Sequence, residues 1–311
     1  MSAQTTWKIW GLQAELTVED DSALPAAKAL VDSVLTKIEL ASSRFRPDSE
    51  LMQLTRSGAQ NTHVSPTLAA LIDGALQAAR NSNGDIDPLL GADLVELGYD
   101  RDIELLPQTT IKDVSITQRV LRPILWPKIE LHGTQLTLPA GTFLDLGATA
   151  KAMAADWCAA EVAEELDTAV LVSLGGDIAT AGTAQQPWQI LVQDTEDAPA
   201  QQISLHSGFS LATSSTQKRR WSHRGLQMHH ILDPRFGLPA HPVHASITVA
   251  APTCLEANTY STAGIVRGRT ALDWFESLEL PARLVDLEGR VHATSRWPRE
   301  ALNQPKARAH G

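Results

Sequence analysis

Cysteine is scarce in this 311-residue chain: Cys158 and Cys254 are its only two. Their spacing matches no metal motif, which argues against a thiolate metal centre. Both lie in apolar helical patterns and read as small packed hydrophobes, and a reducing, cytoplasmic setting fits them. No apolar run reaches the roughly 18 residues of a membrane span. The start, Met1 to Trp10, lacks a charged opening followed by an apolar stretch, and it has no cysteine to lipidate. Neither a leader nor an anchor is therefore expected. Positive charge is also short. Lys and Arg number 26 against 36 Asp and Glu, a net charge of -10. That balance disfavours nucleic acid and anionic membrane as partners, since both need clustered basic residues. One basic patch survives, Lys218-Arg219-Arg220. Internal repeats and low-complexity linkers are absent.

What is present is ordinary for a globular protein: 43% hydrophobic and 20% charged residues. The length suits one large unit or two small ones. Trp7 to Glu19 reads as a first strand, and Ser22 to Ser43 has Ala- and Leu-rich helical spacing with Ser22 as N-cap. Further helices are expected over 47–56, from Ser65-Pro66 to Asn81, from Asp87-Pro88 toward Gly98, over 148–166, 254–267 and 270–279. Strands are expected over 143–147, 168–174, 187–193, 201–205, 208–213 and 244–251. Hairpins are expected at His132-Gly133 and Glu288-Gly289. The charged, Pro-containing stretch 99–127 has no clear pattern, and the tail after Arg299 reads as frayed. Helices first, then mixed strands and helices, make an α+β pattern.

The richest segment is Met228 to Gly237, which packs His229, His230, Asp233, Arg235 and an Asp-Pro turn into ten residues. Such a loop can hold His230 and Asp233 beside a ligand, or simply turn at the surface. Ser43 to Leu51 reads as a capped helix junction, or as a loop where Phe45 lies on a ring and Arg46 meets phosphate. Asp87-Pro88 is a natural helix start. Asp145 to Lys151 joins a strand to a helix N-terminus, where free amides and the helix dipole favour an anion. Lys151 opposes that dipole, which makes sense with an anion between them; a surface lysine is the alternative. Asp156 reads as solvated or salt-bridged. Gly175-Gly176, before Asp177, allow a tight turn or a close backbone approach to a ligand. Asn258 and Thr262 share one helix face and can bind a hard cation or hydrogen-bond within the fold.

In this order the segments resemble the FAD:protein FMN transferases, the ApbE family. The counterparts are Ser43 to Leu51, Asp87-Pro88, Asp145 to Ala152, Leu174 to Asp177, Thr213-Ser214-Ser215, His229 to Gly237 and Ala257 to Ala263, spanning about Trp7 to Val291. The resemblance implies an ApbE-like α+β fold, with mixed sheets and packed helices in one large unit over 1–311. Two subdomains around a flavin cleft are the alternative division. It implies transfer of FMN from FAD to a Thr or Ser of a protein carrying a flavinylation motif, with Mg2+. The alternatives are a flavin-binding relative without transfer and an FAD pyrophosphatase. The cofactor-binding residues would be Phe45, Ser49, Glu50, Asp87, Asp145, Lys151, Gly175, Gly176, Asp177, Ser214, His230 and Ile231. His230 and Asp233 would be catalytic, with His230 the natural base. Asn258, Thr262 and the Ala150 carbonyl would hold the metal. The chain departs from the family pattern at Asn258 (Asp), Phe236 (Thr), Ser173 (Asn), Thr55 (Asn) and Ala152 (Gly). A neutral amide oxygen at position 258 attracts Mg2+ less than a carboxylate does.

Overall fold

The structure is a computed structural model and describes residues 2–106 and 120–299. The N-terminal part of the chain runs β1 (Ala3–Ile9), β2 (Leu12–Val18), α1 (Leu24–Ser42), α2 (Glu50–Ser57), β3 (Asn61–His63), α3 (Pro66–Asn81) and α4 (Gly91–Glu96). Then come β4 (Glu130–His132), β5 (Gln135–Thr137), α5 (Ala150–Leu166), β6 (Val170–Leu174), β7 (Asp177–Ala181), β8 (Trp188–Val192), β9 (Gln201–Leu205) and β10 (Ser210–Ser215). The remainder is β11 (Arg220–His223), β12 (Leu226–His229), β13 (Leu232–Asp233), β14 (Leu238–Pro239), β15 (His244–Ala251), α6 (Cys254–Arg267), α7 (Ala271–Ser277), β16 (Ala282–Asp286) and β17 (Val291–Ala293). The α+β class is as the sequence pattern indicates.

One eight-stranded sheet, ordered β1-β2-β6-β7-β10-β15-β16-β17, organises the molecule. Its pairings are antiparallel, with Ala14 opposite Leu174 and Leu174 opposite Asp177. Helices α5 and α6 pack on this sheet, and α1 packs on α5. The buried face of α5 is mostly alanine: Ala150, Ala152, Ala154, Ala155 and Ala159, with Cys158. Small side chains let the helix lie close to the strands. Ala152, one of the departures from the family pattern, is fully buried in this core, and Cys158 and Cys254 are buried with it.

The structure corrects several boundaries. Trp7 to Glu19 is a hairpin, not one strand; the turn is made by Trp10 and Gly11, both at positive φ (51° and 65°). Ser22 does not cap α1; Asp20 caps a preceding 3-10 turn. The helix expected from Pro47 begins at Glu50, capped by Ser49. The one expected at Asp87 begins at Gly91, because Asp87 instead accepts from the Leu89 amide in a tight turn (2.8 Å). Residues 143–147 are not a strand. Leu144 and Leu146 are buried, but the Asp145 amide bonds the Pro88 carbonyl and no ladder forms. Residues 107–119 of the patternless stretch 99–127, and the tail beyond Arg299, lie outside the described residues.

Candidate active-site cleft

The motifs converge because the sheet brings their ends together. The β6–β7 turn, the N-terminus of α5 and one face of α6 open onto a single cleft of about 720 Å3. That lies within the roughly 300–1,000 Å3 of ordinary small-molecule sites. Gly175 is required at the turn. Its φ is +66°, and a Cβ there would lie 2.7 Å from the Leu12 side chain.

The start of α5 lines the cleft. Thr149 gives α5 no side-chain cap; its amide and that of Ala150 donate to the Leu146 carbonyl (3.0 and 2.8 Å), and the start of this 17-residue helix lines the hollow with Gly147, Ala148, Ala150 and Lys151. Lys151, in the first turn, reaches Asp177 at 3.1 Å. The other Asp177 oxygen accepts from the Asn258 amide nitrogen at 3.2 Å. Thr262, one turn further along α6, hydrogen-bonds Ser214 at 2.7 Å. Ser261 reaches the same hydroxyl at 2.9 Å.

The opposite wall carries His230 and Ile231, at the end of the β11–β12 hairpin. His230 Nδ1 is buried without a partner. Burial, then the charges of Arg219 and Lys151, hold its imidazole well below the ordinary range, so it is neutral. His229 points elsewhere: its Nε2 meets the Ala240 carbonyl at 2.9 Å, and burial lowers it to about 4.

Asp233 lies outside the cleft lining. Its carboxylate is forked onto Arg235, accepting from the backbone amide (3.0 Å), Nε (2.8 Å) and the terminal nitrogen (2.7 Å). The Asp233 carbonyl accepts the Phe236 and Gly237 amides. These contacts assign it to holding the turn that aims His230. Asp233→Asn is therefore expected to lower the urea midpoint, by an amount corresponding to about 1–2 kcal/mol of stability, a modest figure because Arg235 is 58% exposed. A normal midpoint with turnover lost would instead place Asp233 in the chemistry.

Arg44 organises the mouth. Buried to 7% exposure, it pairs with Asp145 at 2.6 Å and donates to the Tyr99 carbonyl. It lies over the rings of Phe45 (4.5 Å) and Tyr99 (4.9 Å). Tyr99 in turn stacks on Trp221 at 5.0 Å. Arg46, the residue expected to meet phosphate, is forked onto Asp48. Lys218 and Arg219 also line the cleft. Their loop is held by Asp194, which accepts from Ser215 at 2.6 Å and pairs with Lys218 at 3.1 Å.

Of the expected residues, Phe45, Asp87, Asp145, Lys151, Gly175, Asp177, Ser214, His230 and Ile231 line this cleft, as do Ala150, Asn258 and Thr262. Ser49, Glu50, Gly176 and Asp233 do not. Ser49 caps α2, and Glu50 accepts from the Ser65 amide at 2.6 Å, tying α2 to the start of α3. The Gly176 carbonyl accepts the Thr213 amide, tying the turn to β10. Arg44, Tyr99, Trp10 and Lys218-Arg219 were missed as site residues. Arg44 stood inside a quoted motif and the lysine–arginine patch was visible, whereas Trp10 and Tyr99 carried no local signal. Asp156 is a helix cap: it accepts from the Cys254 and Leu255 amides at 2.8 and 3.0 Å. A second, more open hollow of about 450 Å3, between His241 and His292, contains none of the motif residues.

The donors do not fit a divalent ion well. Asp177 accepts only, so the Asn258 NH2 must face it. That leaves the buried Asn258 Oδ1 without a partner. With Thr262 and the Ala150 carbonyl it makes an all-neutral set, whereas Mg2+ is ordinarily held through carboxylates. Among the described residues no group of three or more His, Cys, Asp or Glu is placed to hold a metal. No described helix is long and apolar enough to cross a membrane.

The chain is 33% identical over 264 residues to the FAD:protein FMN transferase of Treponema pallidum, covering 78% of this chain and 72% of that protein. It is 30% identical over 237 residues to the FAD:protein FMN transferase of Salmonella typhimurium, covering 73% and 67%. Its fold is that of the ApbE protein of Thermotoga maritima (TM-score 0.80, 22% identity, 95% and 97% covered). The flavinyl transferase ApbE of Pseudomonas stutzeri is similarly close (TM-score 0.77, 21% identity, 95% of each chain). The ApbE family model matches residues 5–284, and with these relatives it makes the chain a member of the ApbE family.

Proposed function

We propose that this chain binds FAD in the cleft and transfers its FMN moiety to a Thr or Ser hydroxyl of an acceptor protein that carries a flavinylation motif. One juxtaposition carries the reading. The uncapped start of α5 with Lys151 faces the same hollow as His230, whose Nδ1 has no partner. The first suits a pyrophosphate, the second a proton acceptor.

In the reaction the acceptor hydroxyl oxygen bonds to the FMN phosphorus. The bond from that phosphorus to the bridging oxygen breaks, and AMP leaves. His230 takes the hydroxyl proton, while Lys151 and the α5 amides meet the negative charge of the phosphoryl oxygens. The Phe45–Tyr99 pair and Trp10 offer aromatic surface for a flat ring.

Titration of the purified protein with FAD tests the binding half: saturable change in flavin fluorescence is expected, and its absence would remove the reading. Products separate the rest. Flavinylated acceptor with AMP supports transfer. Free FMN with AMP is the outcome of a pyrophosphatase, and unchanged bound FAD that of a carrier.

A further inference from the structure

The Lys151–Asp177–Asn258 cluster raises a question of charge. Asp177 is 4% exposed on its side chain, and both its oxygens are engaged, one by the Lys151 ammonium and one by the Asn258 amide. Asp156, the other carboxylate acting on Asp177, is taken up by the two amides at the start of α6. The cluster is thus neutral as it stands: one ammonium, one carboxylate, one amide. A carboxylate at position 258 would face Asp177 across about the same distance, and two buried like charges would call for an additional cation. The Asn258 amide removes that demand. Its Oδ1, on a cleft-lining residue only 5% exposed, is left unpartnered. An unpartnered amide oxygen there can accept from a ligand hydroxyl but brings no charge for a divalent ion.

We propose that the Lys151–Asp177–Asn258 cluster, balanced without a divalent ion, removes the demand for the Mg2+ that the family resemblance assigns, so that the cleft takes up a flavin nucleotide without a divalent metal. The nucleotide part rests on the FAD reading above; the metal part does not. Lys151 stands at the α5 N-terminus, so its ammonium and the helix amides act on the same phosphate. It is held there by Asp177, and Asn258 in turn holds Asp177.

The test is calorimetric titration of Mg2+ into wild type and Asn258→Asp without FAD, followed by FAD titration of each with EDTA or with millimolar Mg2+. Wild type is expected to give no saturable Mg2+ heat and less than about a twofold change in FAD affinity, while Asn258→Asp gains Mg2+ binding and about tenfold Mg2+ dependence of FAD affinity. Lys151→Met should lose FAD binding in both buffers. The double variant Lys151→Met/Asn258→Asp should regain it only with Mg2+, which separates loss of charge from loss of fold. Wild type that binds Mg2+ as tightly as Asn258→Asp, or that needs Mg2+ or K+ for FAD, overturns the proposal. If no form binds FAD while the Mg2+ heats split as expected, the FAD reading fails and the charge assignment stands.

Discussion

Arg44→Ala is expected to cost about 3–5 kcal/mol of folding stability, the range for breaking a buried ion pair from one side. The magnitude follows from what would be stranded. Asp145 is 12% exposed on its side chain and pairs with Arg44 at 2.6 Å. Without the guanidinium its remaining bond is to the Gly147 amide, at 2.8 Å. The Tyr99 carbonyl loses its donor, and the Phe45 and Tyr99 rings lose the flat cation between them. Asp145 and Gly147 lead into α5, so the damage should reach the start of that helix as well. Arg44→Lys should recover only part of the loss, because an ammonium cannot pair with the carboxylate, bond the carbonyl and stack on both rings at once. Urea denaturation reads this directly. A midpoint for Arg44→Ala equal to wild type would show that the pair does not hold the cleft.

His230→Ala should behave in the opposite way. Loss of a general base typically lowers rates by about 10²–10⁴-fold. Stability should change little, since His230 Nδ1 holds no partner to strand. The pair His229–His230 also sets an acid limit. A histidine of the unfolded chain titrates near 6.5, whereas burial lowers His229 to about 4 and His230 in the same direction. Below pH 6.5 the unfolded chain gains protons that the folded chain refuses, so stability falls as pH drops through that window. Above it these two histidines add no pH dependence. Their neutrality also keeps His230 competent as a base in weakly acidic buffer. His230→Ala with full turnover, or a stability curve flat from pH 7 to 5, would contradict this assignment.

The parts of this fold that were legible in the sequence are those where local chemistry and tertiary packing agree. Ser65-Pro66 announces α3 and caps it as expected. The spacing from Cys254 to Arg267 gives α6, and the run from His244 to Ala251 gives β15, to the residue. Failures came where a tertiary partner decides. Leu144 and Leu146 alternate with polar neighbours like a strand, yet Asp145 bonds Pro88 and Arg44 and the segment becomes the approach to α5. Trp10 is an unusual residue for a left-handed turn, so the β1–β2 hairpin was read as one strand. At the site, motif membership did not separate ligand-facing residues from those that hold them. Ser49, Glu50 and Asp233 lie in the motifs, but here they cap, tie and clamp. In the Ser43 to Leu51 segment two arginines lie two residues apart, and only the fold shows that Arg44 turns inward while Arg46 is held by Asp48.

The most direct measurement of the central claim is the intact mass of an acceptor peptide bearing a flavinylation motif, taken after incubation with this protein and FAD. The account predicts a peptide heavier by one FMN phosphoester, one AMP released for each peptide modified, and both products formed about 10²–10⁴-fold more slowly with His230→Ala. An unmodified peptide alongside FAD that has been bound or split to free FMN would contradict it.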